Sequence, residues 1–290
     1  MEFTYVARRP AALARFVESV WFARGRIDYQ RERIAPTGST VAVVVLGDPI
    51  RLVAGDGAAF VARDGFLLGP HDRPVVNEPL GETHCVGVVT TPVGCGALFG
   101  VAPASVRGRV VDLLAAWPAA AGLRRALLAS ASSAEEALDV CQKVLAPGEP
   151  GPAVRRCAAA VAALEGEPMR PIAGLAAELG VSHGHLDREF TAVVGLSPRV
   201  LSRILRLRAL LAAIDVYGTV DWPGLAAAYG WFDQSHFIRD FRRHTGVTPS
   251  RYVAAQRAAF TPEQAAPGFV PEVGVDVKSV QDAGRGGRAR

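Results

Sequence analysis

The sequence predicts an α+β chain: a β-rich barrel or sandwich with a helical hairpin in the first half, then an all-α domain of two helix-turn-helix subdomains joined by a long helix. Three observations predict it. Short apolar runs between residues 41 and 89 are punctuated by turn residues. The segment Pro147-Gly148-Glu149-Pro150-Gly151-Pro152 suits neither helix nor strand. The pattern of residues 171–200 recurs at residues 222–252.

The β-rich half is read run by run. Val41 to Leu46 is continuously apolar and stops at Gly47-Asp48-Pro49; Ile50 to Val53 follows, then Gly55-Asp56-Gly57 and Ala58 to Ala62. Gly65 to Leu68 and Cys85 to Val89 are further strands. Ahead of them, Leu13, Phe16, Val17, Val20 and Trp21 have helical spacing behind Pro10, and helix and strand both remain open there. From about Pro103 the pattern turns helical. Ala119 to Ser130 pairs with a second helix opened by a capping box, Ser133-Ala134-Glu135-Glu136, and carrying Leu138, Cys141, Val144 and Leu145 on one face. The expected divisions are an N-terminal domain at 1–146, a linker at 147–153, the helical domain at 154–257 and a Gly-, Pro- and Ala-rich tail at 258–290. The tail is read as mostly disordered, with Val273 to Val280 as a candidate docked strand.

Length and composition set the outer bounds. At 290 residues, half of them apolar, the chain is long enough for about two packed domains. Residues 1–10 lack the apolar stretch of a signal peptide, and Val86 to Ala102 is broken by Pro92 and four glycines, so no membrane span is expected. Cys85, Cys95, Cys141 and Cys157 are scattered without a CxxC pair, which fits a reducing, cytoplasmic setting. The net charge of +4 is unevenly placed. Residues 1–150 carry 15 basic and 15 acidic side chains, whereas residues 151–260 carry 13 and 9, every one of the 13 an arginine. Arginine's planar fork binds phosphates and base edges bidentately.

Leu186, Arg188, Phe190, Gly195 and Pro198 in the first copy of the repeat return as Phe237, Arg239, Phe241, Gly246 and Pro249, each 51 residues on. Leu175-Ala176-Ala177 returns as Leu225-Ala226-Ala227 at an offset of 50, so the second copy holds one extra residue in its turn. Each copy reads as a helix carrying Leu175 and Leu179 (Leu225 and Tyr229), a glycine stop at Gly180 (Gly230), an N-cap at Ser182 (Asp233) and a second helix. Leu186 and Phe190, like Phe237 and Phe241, are four apart and face inward, which turns Arg188 and Arg239 outward. Ser197-Pro198 and Thr248-Pro249 start a third helix. Between the copies, Arg199 to Asp215 is amphipathic through Leu201, Leu205 and Leu211 and reads as a stiff spacer. Two such second helices can enter successive major grooves, about 34 Å apart, on one face of a duplex.

Gly230 through Phe241, followed by Thr245-Gly246-Val247-Thr248-Pro249-Ser250-Arg251-Tyr252, resembles the signature of the AraC/XylS family of bacterial transcription regulators; Leu175-Ala176, Gly195 through Pro198 and Arg206-Leu207 resemble it too. The resemblance spans about residues 153–256. Gly96-Ala97-Leu98-Phe99-Gly100 and Val110-Val111-Asp112-Leu113 are similar to the sensing region of some members. It implies a cupin-like N-terminal sensor domain, double-stranded promoter or operator DNA as partner, a small-molecule effector, frequent homodimers, RNA polymerase as partner of an activator, and a cytoplasmic, nucleoid-associated protein with no membrane partner. Base-reading positions then fall on Gly184, Asp187 and Arg188, and on Gln234, Ser235, His236 and Arg239. His183 and His185 are candidates to compensate for Gly184, which has no side chain to offer; Arg199 and Arg203 are candidate phosphate contacts or plainly solvated, Arg243 is a further candidate DNA contact, and Arg206 matches a position that ties the subdomains together. The second copy is the better equipped reader.

No cofactor, metal or catalytic residue is expected. His71, His84, Cys85 and Cys95 have no standard metal spacing, and Gly94 to Gly100 lacks the Lys-Ser/Thr of a phosphate loop. Two other readings stay open: an enzymatic N-terminal domain, which requires His71, Asp72, His84 and Cys85 to converge in a pocket, and a β domain filled by its own side chains that binds a partner protein.

Overall fold

Two antiparallel sheets and a helical C-terminal half make up residues 3–130, 132–262 and 267–272, which the computed structural model describes. The strands are β1 (Thr4–Arg8), β2 (Val17–Gly25), β3 (Arg31–Ile34), β4 (Val41–Val45), β5 (Ile50–Val53), β6 (Ala59–Ala62), β7 (Gly65–Leu68), β8 (Val75–Pro79), β9 (Thr83–Thr90), β10 (Val110–Asp112) and β11 (Phe269–Glu272). One sheet has the order β1-β2-β9-β4-β7-β10, the other β11-β3-β8-β5-β6, and neither closes into a barrel.

The continuous apolar run of β4 follows from burial on both faces. Val43 and Val45 point into the space between the sheets, with Ile50, Leu52, Phe66, Leu68, Val75 and Cys85. Ala42 and Val44 point the other way, onto helices α2 (Leu113–Ala116), α3 (Ala119–Ser130) and α4 (Ala134–Val144), among Leu113, Trp117, Leu123, Leu127, Leu138 and Cys141. Ser133 caps α4 as expected, accepting from the Glu136 N–H, but the Glu136 carboxylate takes the N–H and hydroxyl of Ser132 instead of closing the box on Ser133. The ambiguous stretch near Leu13 resolves into a short 3-10 turn, Ala11–Leu13, running into β2. A short helix, α1 (Gly94–Phe99), follows β9.

The C-terminal half is α5 (Pro152–Gly166), α6 (Ile172–Glu178), α7 (His183–Val194), α8 (Pro198–Ala213), α9 (Trp222–Ala228), α10 (Gln234–Thr245) and α11 (Pro249–Ala259). The structure extends the repeat upstream. Cys157, Ala160, Val161 and Leu164 are buried in α5; Leu207, Leu210, Leu211 and Ile214, each 50 residues on, are buried along α8 and its C-cap. Each subdomain therefore has an entry helix besides the two of the motif, and α8 serves both: Leu201, Ile204 and Leu205 belong to the first core, Leu207 through Ile214 to the second.

Within the tail, part of which was expected to lack structure, β11 pairs antiparallel with β3, Phe269 opposite Ile34 and Glu272 opposite Arg31. Val270 enters the second helical core beside Ala35. The candidate strand Val273 to Val280 lies outside the described residues.

Candidate nucleic-acid interface

The two second helices are held alike. Ser182 accepts from the His185 N–H at 3.2 Å and Asp233 from the His236 N–H at 2.7 Å, so both α7 and α10 begin on a side-chain cap. Both end on a left-handed glycine, Gly195 at φ +79° and Gly246 at φ +78°. Leu186, Phe190 and Val194 are buried under α7, Phe237 and Phe241 under α10. The second core is aromatic: Phe237 meets Trp231 at 5.4 Å and Phe241 at 5.7 Å, and Phe241 meets Tyr252 at 5.6 Å, all edge-on.

On the outer faces, His183, Gly184, His185 and Arg188 of α7 are exposed and Asp187 is half-buried; Gln234, Ser235, Arg239 and Arg243 of α10 are exposed and His236 is half-buried. Arg199 and Arg203 are exposed on α8. Each subdomain thus presents a polar outward stripe at the N-terminal half of its second helix, the part of such a helix that meets base edges.

Behind each stripe lies an ion pair joining the entry helix to the reading helix. Arg156 of α5 forks onto Glu189 of α7 with bonds of 2.7 and 2.9 Å. Arg206 of α8 donates to Asp240 of α10 at 3.0 Å, lies 3.9 Å above the Trp231 ring, and shares Asp240 with the Trp231 indole N–H at 3.1 Å. Burial lowers the Arg206 pKa and Asp240 works against that shift. His185 and His236 sit over these carboxylates at 3.7 and 3.3 Å, so both imidazoles are partly engaged within their own helices. Sequence reading found Arg206 and missed Arg156, although the offset of 50 that relates Leu175 to Leu225 also relates these two arginines.

Arg243 faces the N-terminal half: its guanidinium pairs with Asp72, in the loop between β7 and β8, at 2.6 Å. Next to it the buried His244 donates from Nδ1 to the Asp72 carbonyl at 2.8 Å. Burial pushes the Asp72 carboxyl up, but the Arg243 hydrogen bond and surrounding positive charge hold it below its ordinary range. Arg73, Pro74, Val76 and the β5–β6 turn at Gly55 and Gly57 complete a cleft of about 530 Å³ against Arg239, Arg242 and Arg243. The same loop touches the first subdomain, where a Cβ on Gly195 would come within 2.6 Å of Pro70.

The N-terminal candidates do not converge on a catalytic or metal-binding cluster. His71 is buried, donating from Nδ1 to the Gly69 carbonyl at 2.9 Å, and Asp72 is taken by Arg243; Cys85 is buried on β9 between the sheets, with His84 stacked edge-on against Phe22. Among the described residues no three His, Cys, Asp or Glu side chains gather as a metal site, and no helix is long and apolar enough to cross a membrane.

Residues 8–112 match the family model of a domain of unknown function, DUF6597. No curated protein matches the sequence. Among solved structures the chain is similar to ToxT from Vibrio cholerae, with a TM-score of 0.45 and 10% identity over 88% of this chain and 98% of that one. It is similar also to wild-type ToxT from V. cholerae strain SCE256 with an unsaturated fatty acid bound (TM-score 0.44, 13% identity, 87% and 94% covered). The AraC-like transcriptional activator CuxR is more distant (TM-score 0.25, 14% identity, 73% and 87% covered). In the C-terminal half, residues 175–255 match the family model of a helix-turn-helix domain, of the AraC type.

Proposed function

We propose that the protein is a sequence-specific regulator of transcription that holds double-stranded DNA with α7 and α10 in successive major grooves. The observation that carries this reading is the duplicated subdomain on a shared helix: two equally capped, glycine-terminated helices present outward polar stripes, and the basic surplus of the chain sits in the same segment. Arg188 and Arg239 occupy the matching outward positions of the two copies and are assigned to base edges, guanine above all, because the guanidinium fork fits O6 and N7. Gln234, Ser235 and His236 read beside Arg239, whereas Gly184 and Asp187 leave the first copy more positioning than reading, with His183 and His185 at its edge. Arg199 and Arg203 go to phosphates. Arg243, held by Asp72, reaches DNA only if that pair opens.

The N-terminal half regulates the reader by direct contact in this proposal, and a small-molecule effector is part of it. Since the inter-sheet space is filled by buried side chains, the Arg-lined cleft beside α10 is the better candidate for the effector. Its guanidinium groups favour an effector that carries an anionic group. Dimerisation through the α3–α4 hairpin has less support, because its apolar stripe is taken up by the sheet and Leu128 is what remains exposed.

Selection of genomic fragments by the full-length protein tests the reading. It should return one recurrent, asymmetric site with two elements about one helical turn apart; uniform recovery of all fragments would overturn it.

A further inference from the structure

The extra residue in the second turn is Phe232, and its ring is 98% exposed. The two turns align by their backbone bonds. Gly180 and Gly230 donate to Ala177 and Ala227, and Val181 and Trp231 donate to Ala176 and Ala226, at 3.0 and 2.8 Å. Trp231 therefore stands where Val181 stands, buried at 4%, and Asp233 stands where Ser182 stands, capping the reading helix. Phe232 is the insertion between them. The cap does not need it, the core does not hold it, and a wholly hydrated ring contributes nothing to folding.

The ring sits two residues ahead of Gln234, beside the first turn of α10, which is the part of a recognition helix nearest the bases. A phenyl ring offers no donor or acceptor to a base edge. The one apolar group that the major groove presents is the thymine C5-methyl, and apolar side chains do contact it there. We infer that Phe232 is a specificity-determining residue of the second reading head, packing on a thymine methyl at the edge of the element that α10 reads. The inference rests on the proposed DNA-reading function and adds a preference that the arginine and glutamine positions do not supply. The first copy lacks it for want of the inserted residue.

The test uses the full-length protein, its Phe232→Ala and Phe232→Leu variants, and the selected DNA site with thymines replaced singly by deoxyuridine, which removes only the methyl. Burying a methyl-sized group is worth roughly a factor of four in affinity. One deoxyuridine position should weaken the parent about fourfold, Phe232→Ala should lose about as much on the thymine site, and that variant should be indifferent to the replacement. Phe232→Leu should keep part of the discrimination. Both variants should melt with the parent, since the ring touches nothing that folds the chain. Equal affinity of Phe232→Ala and parent, a loss that persists unchanged on every deoxyuridine site, or a loss of self-association in the variant would each overturn the inference and leave the DNA-reading function standing. Absence of any preferred DNA site for the parent would remove both.

Discussion

Arg239 and Arg206 play different parts: one is exposed on the outward face of α10, the other is pinned behind it on Asp240. Arg239→Ala should leave the fold intact, weaken specific binding by roughly 1–3 kcal/mol and relax the preference at one base pair, as measured by titration against a panel of single-base variants of the site. Arg206→Ala takes the guanidinium from the half-buried Asp240, which keeps the Trp231 indole N–H, and uncovers the Trp231 ring; it should destabilise the folded chain by about 3 kcal/mol in a denaturant titration. Arg206→Lys should recover little of that, because a lysine neither forks nor stacks flat on the indole. The thiols make a third residue-scale expectation. Burial pushes Cys85, Cys141 and Cys157 up to about 12, so at neutral pH they carry almost no thiolate, and a thiol-reactive dye should label them at the rate of unfolding rather than of collision. The sequence already spoke against cysteine chemistry through their scattered spacing; what it lacked was their place in the cores.

At the scale of elements, the caps and glycine stops of α7 and α10 were legible because each is a local rule: Ser182 and Asp233 bind an N–H three residues on, and Gly195 and Gly246 need no partner to adopt a positive φ. Asp233→Ala should cost about 1 kcal/mol of stability, read as a lowered melting temperature. Gly195 carries a second constraint that no local rule announces. A methyl there meets both a left-handed backbone and Pro70 and Pro103, so Gly195→Ala should destabilise the chain more than Gly246→Ala, where the nearest atom is on the flexible Arg33 side chain. The strands show the same divide. β4, β5 and β7 stand out as apolar runs between turns, while β1, β3, β8 and β10 went unseen because none is a buried apolar run: most of their residues are partly or fully exposed, and β1 and β10 lie at the two edges of their sheet. The candidate site was legible where the repeat made it so. The second reading of Arg243, as a contact to Asp72, joins positions 171 apart in the chain and has no sequence signal.

At the scale of the whole molecule the contact between halves holds two buried histidines, His71 and His244. Burial lowers the pKa of His71 and of His244 below the ordinary 6.5, and the Nε2 of each is buried without a hydrogen-bond partner. The unfolded chain then binds more protons than the folded one below pH 6.5, so stability is highest above that pH and falls as the pH drops below it. Melting temperatures between pH 7.5 and 5 should show this fall, and His244→Gln should make it shallower. The same junction includes β11, held by Arg31 and Arg33 to Glu272, by Gln256 to the Phe269 carbonyl, and by the Tyr252 hydroxyl to the Gly268 N–H. Seen as a matter of synthesis, this strand reverses the usual order of maturation. A ribosome releases N-terminal domains first and they generally fold as they emerge, yet here the edge of β3 stays open until residues 269–272 have followed the entire DNA reader out of the exit tunnel. Until then the nascent N-terminal half offers a bare strand edge to its neighbours, a surface that invites pairing between chains. A cell making this protein therefore has to guard the first half until residues 269–272 arrive, and a gene truncated before codon 269 should yield an aggregating product even though every residue of the helix-turn-helix domain is present.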